Sequence, residues 1–325
     1  MSDTILTVDL GGTLIRTARM NSEGDIFAHV REPIHAAQGR DVTLPHVIDA
    51  IRRVAPTDGS PITAIGVSAP GPINPWEGRV INLTNIPGWQ NLPLADMLSK
   101  AFGCPVWLGN DGNVAALAEQ RFGAAKGVKD VIYMTISTGI GGGIIIDDRL
   151  LLGARGLAAE VGHMTIQTDG PRCPCGSIGC LEVMANGPAI ARYAREAIQQ
   201  GRQTRITDLV RGDPSQVTAR IVNEAARQGD PVAIELYQRA GFYVGTGIVN
   251  LMHTFNPAMF VIGGGVTHGG DLLFDPIRST VKERAMHDYW VDVPIVPAAL
   301  GDDVGLLGAL ALVLSQSQGA VSLLT

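Results

Sequence analysis

Hydrophobic residues recur along this chain with two periods. Near the N-terminus ILTVDL is apolar and rich in β-branched residues, and LIRTARM and DIFAHVREPI alternate apolar with polar positions. A period of two predicts strands, so this opening reads as an antiparallel meander that turns at Gly11 and Gly12. A helix is expected around Val42 to Val54. It is followed by the buried strand ITAIGVS, the loop APGPI with Gly71, the Asn- and Pro-rich loop NLTNIPGWQNLPL and a helix near Ala95 to Phe102. PVWLG then reads as a strand running into the amphipathic NDGNVAALAEQRF, which puts Asn110 and Asp111 at a strand end before a helix.

The second half opens as the first does. VIYMTI, STGIGGG and GIIIDDRLL read as strand, glycine turn and returning strand, an echo of the first unit at a distance of about 125 residues. PAIARYAREAI, VTARIVNEAARQ and PVAIELYQRAGFYVGTGIVNLMHTF then carry helical periodicity. MFVIGG is a buried strand closing on Gly263, Gly264 and Gly265. GDDVGLLGALALVL reads as a helix with Asp302 and Asp303 suited to its N-terminus.

Composition narrows the classes. The chain has 325 residues, 46% of them hydrophobic, enough for a large core and two lobes. A net charge of −6 argues against a sequence-independent grip on nucleic acid, which needs a basic face. No leader pattern is visible and the longest apolar run is too short to span a bilayer, so a cytoplasmic protein without membrane attachment is expected. Neither G-x-G-x-x-G nor G-x4-G-K-[ST] occurs. Glycine turns between strands instead present backbone N–H groups as small anion nests.

Three of the four cysteines stand in HMTIQTDGPRCPCGSIGCLE, at Cys173, Cys175 and Cys180. C-x-C is strained as a direct disulfide, and the C-x-x-C redox spacing is absent. With His163 ten residues upstream the set suits tetrahedral Zn²⁺. Four protein ligands leave no open position, so such a zinc would be structural. Cys104 in FGCPVW reads as a core thiol.

DLGGT, NDGNVAA, STGIGGG, AEVGH and CPCGSIGCLE occur in this order, and together they resemble the ROK family of bacterial sugar kinases, most of all its glucokinases. The resemblance runs from Asp9 to the last helix. It implies an α/β, two-lobed actin/hexokinase-like (ribonuclease H-like) ATPase fold with a zinc-binding loop. A small lobe is expected over 1–112, joined by the C-terminal helix 302–325, and a large lobe over 113–301. The implied reaction moves the γ-phosphate of ATP, with Mg²⁺, to the 6-hydroxyl of a hexose, glucose first.

By the same resemblance Asp111 is the general base, which from spacing alone serves equally well as a helix cap. Gly71, Asn85, Asn110, Asp111, Glu160, His163 and Glu182 would bind the sugar, with Trp89 packing at the pocket rim. Asp9, Gly11, Gly12, Thr13, Thr138, Gly139 and Gly141 would face phosphates and Mg²⁺, and Gly263, Gly264 and Gly265 the adenosine. Zn²⁺ would sit on His163, Cys173, Cys175 and Cys180, where His163 serves metal and sugar through its two ring nitrogens. Many members carry Lys after GGT; this chain has Leu14, and its nearest cation is Arg16.

Kinases for N-acetylmannosamine, N-acetylglucosamine or another hexose would use much the same polar set, and polyphosphate as donor leaves no separate mark. ROK repressors share this body behind an added helix-turn-helix, for which the position of DLGGT is read as leaving no room. A homodimer or homotetramer is expected.

Overall fold

A computed structural model describes residues 4–83 and 86–317. Asn85 therefore lies outside the described residues, as do positions 318–325 of the expected C-terminal helix. The described residues form two compact units. The first holds residues up to Val131, then Gly143–Ala159 and the chain from Ala299; the second holds Ile132–Gly142 and Glu160–Ala298.

The first unit is built on the expected meander. Strands β1 (Ile5–Leu10), β2 (Leu14–Met20) and β3 (Ile26–Pro33) pair antiparallel. Helix α1 (Arg40–Val54) leads to β4 (Ala64–Ala69), which pairs parallel with β1. A small antiparallel sheet follows, of β5 (Ile73–Asn74), β6 (Arg79–Asn82) and β7 (Gln90–Leu92). Helix α2 (Leu94–Phe102) precedes β8 (Val106–Asn110), parallel to β4, and α3 (Asp111–Phe122) continues directly from it. The main sheet thus runs β3-β2-β1-β4-β8.

Both faces of this sheet are covered, which is why β1 and β4 read as nearly unbroken apolar runs. Leu6, Val8 and Leu10 pack with Val47 and Ile51 of α1 on one face. Ile5 and Met20 pack with Leu306 and Leu310 on the other, from α11 (Val304–Ser317), whose range closes the described chain. Sheet and helix approach closely there, since a Cβ on Gly66 of β4 would stand 2.1 Å from the Ala309 carbonyl oxygen. Sequence reading divided the lobes at residue 112; the contacts group α3 with the first unit, where it packs along α11. Trp89, expected as a packing residue, packs in this unit's core. It is fully buried and its indole N–H donates to Thr43 Oγ1 at 2.7 Å.

The second sheet is ordered β11-β10-β9-β12-β13, from β9 (Val131–Ile136), β10 (Ile140–Ile146), β11 (Arg149–Leu150), β12 (Met259–Gly263) and β13 (Ile295–Pro297). The helices α4 (Leu181–Ala185), α5 (Gly187–Gln199), α6 (Arg205–Leu209), α7 (Ala219–Arg227), α8 (Pro231–Phe255), α9 (Asp271–Arg284) and α10 (His287–Trp290) complete this half. Their starts follow capping chemistry: Asn186, Thr204, Thr218 and Asp230 each accept a first-turn N–H of α5, α6, α7 and α8. Among the described residues no helix is long and apolar enough to cross a membrane.

Candidate functional site

In the first unit Asp9, Gly11, Gly12 and Thr13 come together where β1 turns into β2. The Gly11 N–H is not open, because it donates to the Leu14 carbonyl at 2.9 Å and closes the turn. The exposed amides of Gly12 and Thr13 have no acceptor among the described residues, so the nest is narrower than the motif suggested. Asp9 is paired with Arg16, whose Nε stands 2.8 Å from Asp9 Oδ2. Arg16 Nη1 also donates to the Asp302 carbonyl.

Asn110 ends β8 with extended backbone, and its side chain accepts the Gly112 N–H at 3.0 Å. Asn110 is therefore the N-cap of α3, and Asp111 is the first helical residue. The Asp111 carboxylate also accepts the Gly112 N–H, at 2.7 Å, on an exposed residue at the start of the helix. Gly71 belongs with this pair, because a Cβ there would stand 2.6 Å from Asn110 Nδ2.

In the second unit the glycine turn spans Ser137 to Gly139, where the Ser137 N–H meets the Gly139 carbonyl at 2.8 Å. Gly141, expected in the turn, lies within β10, as do Gly142 and Gly143. Packing leaves no room for a side chain at two of these: a Cβ on Gly142 would stand 2.7 Å from Val161 Cγ2, and one on Gly143 2.6 Å from Ala116 Cβ. The turn's carbonyls are already used. Ser137 O accepts from Gly187 N at 2.8 Å and Thr138 O from Asn186 Nδ2 at 2.7 Å. The amides of Thr138 and Gly139 are left without an acceptor among the described residues. That arrangement suits an anion.

Beside the turn a cavity of about 550 Å³ is lined by Thr138, Gly187, Ala191, Thr218, Tyr237 and Gly265, among others. Gly263 ends β12, and of Gly263, Gly264 and Gly265 it is Gly265 that lines the cavity. Gly264 is glycine for backbone reasons, with φ +89° and its Cα set against Ile136 O. Gly187 and Thr218, which line the cavity, carry no motif that singles them out in the sequence.

The cysteine segment folds back on itself. Thr165 bridges Cys180 in antiparallel fashion, and Leu181 N donates to Met164 O at 2.9 Å. The turn Val161–His163 is thereby brought to the start of α4, which carries Glu182. Glu160 is exposed and its carbonyl accepts the His163 N–H at 3.0 Å. Glu182 Oε2 accepts the Ile140 N–H at 2.9 Å, which ties it to the glycine turn.

The donor atoms of His163, Cys173, Cys175 and Cys180 all lie within 4.8 Å of one another. Cys173 Sγ is 3.7 Å from His163 Nδ1, and Cys175 Sγ is 3.7 Å from Cys180 Sγ. Two sulfurs bound to one tetrahedral zinc stand roughly 3.8 Å apart, so the cluster has the size and the donor chemistry of a zinc site. Burial pushes the Cys173 thiol up to about 12 and raises Cys180 as well, while the Ser177 N–H lowers exposed Cys175. Cys104 is a free, buried thiol in the first unit's core.

A mixed α/β architecture with two glycine turns and a His/Cys₃ cluster defines a protein of the ROK hexokinase fold. The ROK family glucokinase of Streptomyces griseus, solved in complex with glucose and AMPPNP, matches with a TM-score of 0.81 at 34% identity, covering 97% of this chain and 99% of that one. The ROK family profile matches residues 5–316, and the chain belongs to the ROK family. A glucokinase of Thermotoga maritima is 34% identical over 309 residues, 95% of this chain and 96% of that protein. A xylose repressor of Caldicellulosiruptor bescii is 32% identical over 314 residues, 96% of this chain and 78% of the repressor.

Proposed function

We propose that this chain is a hexose kinase that transfers the γ-phosphoryl group of MgATP to the 6-hydroxyl of glucose. The observation that carries the reading is Asp111, a carboxylate on the first residue of α3, beside the capping amide of Asn110 at the carboxyl end of a parallel strand. Ligands of open parallel sheets bind at that end. Glucokinases that are 34% identical over nearly the whole chain support the substrate and the donor.

Phosphoryl transfer depends on placement and charge neutralisation more than on covalent help. Asp111 takes the proton from the attacking hydroxyl. Asn110, Glu160, His163 and Glu182, with Gly71 beside Asn110, hold the ring hydroxyls, as Asn85 would. Discrimination follows because the wrong sugar leaves some of these polar groups unpaired once the sugar has displaced their water. The amides of Gly12, Thr13, Thr138 and Gly139 take phosphate oxygens, and Asp9 takes the Mg²⁺ that arrives with ATP, through water. The cavity beside Thr138 takes the nucleoside, with Gly265 in its wall.

Zinc on His163 Nδ1, Cys173, Cys175 and Cys180, when bound, supplies structural closure of the loop that carries the sugar contacts. His163 Nε2 is then left for a sugar hydroxyl. A homodimer or homotetramer in the cytoplasm belongs to the same reading.

The test is a panel of glucose, other hexoses, N-acetylmannosamine and N-acetylglucosamine, assayed for sugar phosphate with MgATP and with polyphosphate. Glucose with MgATP is expected to lead. The xylose repressor relative supports a second reading, a sugar-responsive regulator. Sugar binding without turnover across the panel would favour it.

A further inference from the structure

Glu119 is a fully buried carboxylate that the proposed chemistry does not use. Its hydrogen-bond donors among the described residues are backbone N–H groups. Its Oε1 accepts the N–H groups of Ala299 and Leu300, each at 3.0 Å, and its Oε2 accepts that of Ala124 at 2.8 Å. Hydrogen bonds to an ionised acceptor are the strong ones, and a carboxylate buried without them would be costly. Glu119 therefore binds the end of α3 to a segment 180 residues away.

That segment leads straight to Asp9. Leu300 is followed by the short helical turn Gly301–Asp303, whose Asp302 carbonyl accepts Arg16 Nη1. Arg16 in turn holds Asp9 Oδ2 through Nε and Nη2. Two residues past the turn, Gly305 lies against the same carboxylate, and a Cβ there would stand 2.4 Å from Asp9 Cγ. Segment 299–305 thus touches Asp9 in two ways, by Arg16 and by direct packing. All of these residues belong to the first unit.

We infer that Glu119 is a positioning residue: it sets segment 299–305, and through Arg16 and Gly305 it aims the Asp9 carboxylate at the metal–phosphate group. The helix that bears Asp111 is thereby coupled to the carboxylate that receives Mg²⁺. This inference rests on reading Asp9 as the metal-side carboxylate of a kinase.

The experiment is a double-mutant cycle on the full chain with Glu119→Gln and Arg16→Gln, read as the affinity for MgAMPPNP by calorimetry. Gln keeps the size of Glu119 but turns an amide N–H toward backbone N–H groups. Each single variant is expected to weaken binding about fivefold to tenfold, and the double variant to stay within about twofold of the weaker single. AMPPNP without Mg²⁺ should be affected less, and KM for the hexose should be unchanged.

Losses that multiply in the double variant, or a lower melting temperature with unchanged affinity, would overturn the relay while leaving the kinase reading intact. A wild-type protein that binds no nucleotide would overturn both. Should Glu119→Gln not fold, Glu119→Asp enters the same cycle. It keeps the charge but draws the segment out of place, and the same coupling is expected.

Discussion

Glu182 Oε2 and the Ile140 amide nitrogen lie 2.9 Å apart, and a Cβ on Gly139 would stand 2.6 Å from that same oxygen. The residue that follows the cysteine segment is thus seated on the glycine turn, with no space left for a side chain at Gly139.

Gly139→Ala is expected to push Glu182 off the Ile140 amide. If Glu182 holds a sugar hydroxyl, KM for the hexose should rise about tenfold, the scale of one charge-assisted hydrogen bond. Steady-state kinetics with sugar and nucleotide varied separately would show it. An unchanged KM for the sugar would remove Glu182 from the sugar site.

Asp111→Ala should lower kcat by about 10²–10⁴-fold, the usual contribution of a general base. Thermal unfolding should show the variant folded, so that the loss of turnover is read as lost chemistry. Turnover near the wild-type level in the folded variant would exclude Asp111 as the base.

Cys175→Ser, or a chelator, should remove bound zinc, measurable by atomic emission. With free zinc about a hundredfold above its dissociation constant, the ion adds about 2.7 kcal/mol to folding, and its loss should lower the melting temperature by several degrees. Hexose affinity should fall with it, since Glu160, His163 and Glu182 flank the loop. Normal hexose turnover by metal-free protein would sink the bracing role.

Gly66→Ala places a methyl group 2.1 Å from the Ala309 carbonyl oxygen, a contact with backbone that no rotamer change relieves. Overpacking of this kind costs about 1–3 kcal/mol. Urea unfolding should show a lower midpoint. An unchanged midpoint would mean that α11 shifts freely on the sheet.

Much of the fold is legible in the sequence because its causes are local. Alternation in ILTVDL and LIRTARM, caps such as Asn186 and Asp230, and the C-x-C-x4-C spacing each need only neighbours a few residues away. The strand–glycine turn–strand units stand where alternation put them. The second turn is shorter than STGIGGG suggests, since Gly141, Gly142 and Gly143 belong to β10; at Gly142 and Gly143 glycine marks close packing rather than a bend. That Trp89 packs is legible from its type, but not that Thr43, 46 residues away, takes its indole N–H.

The sequence by itself determined the elements, the phosphate-type turns, the metal-type cluster and the family resemblance. Only the tertiary structure decided which groups are already spent and which stay open. The Gly11 amide closes its own turn, Thr138 O is taken by Asn186, and the Thr138 amide is left. It alone brought Glu119 to Ala299 and Arg16 to Asp302. The reason is physical: these contacts use backbone N–H and C=O groups, which nearly every residue carries, so no residue type announces them.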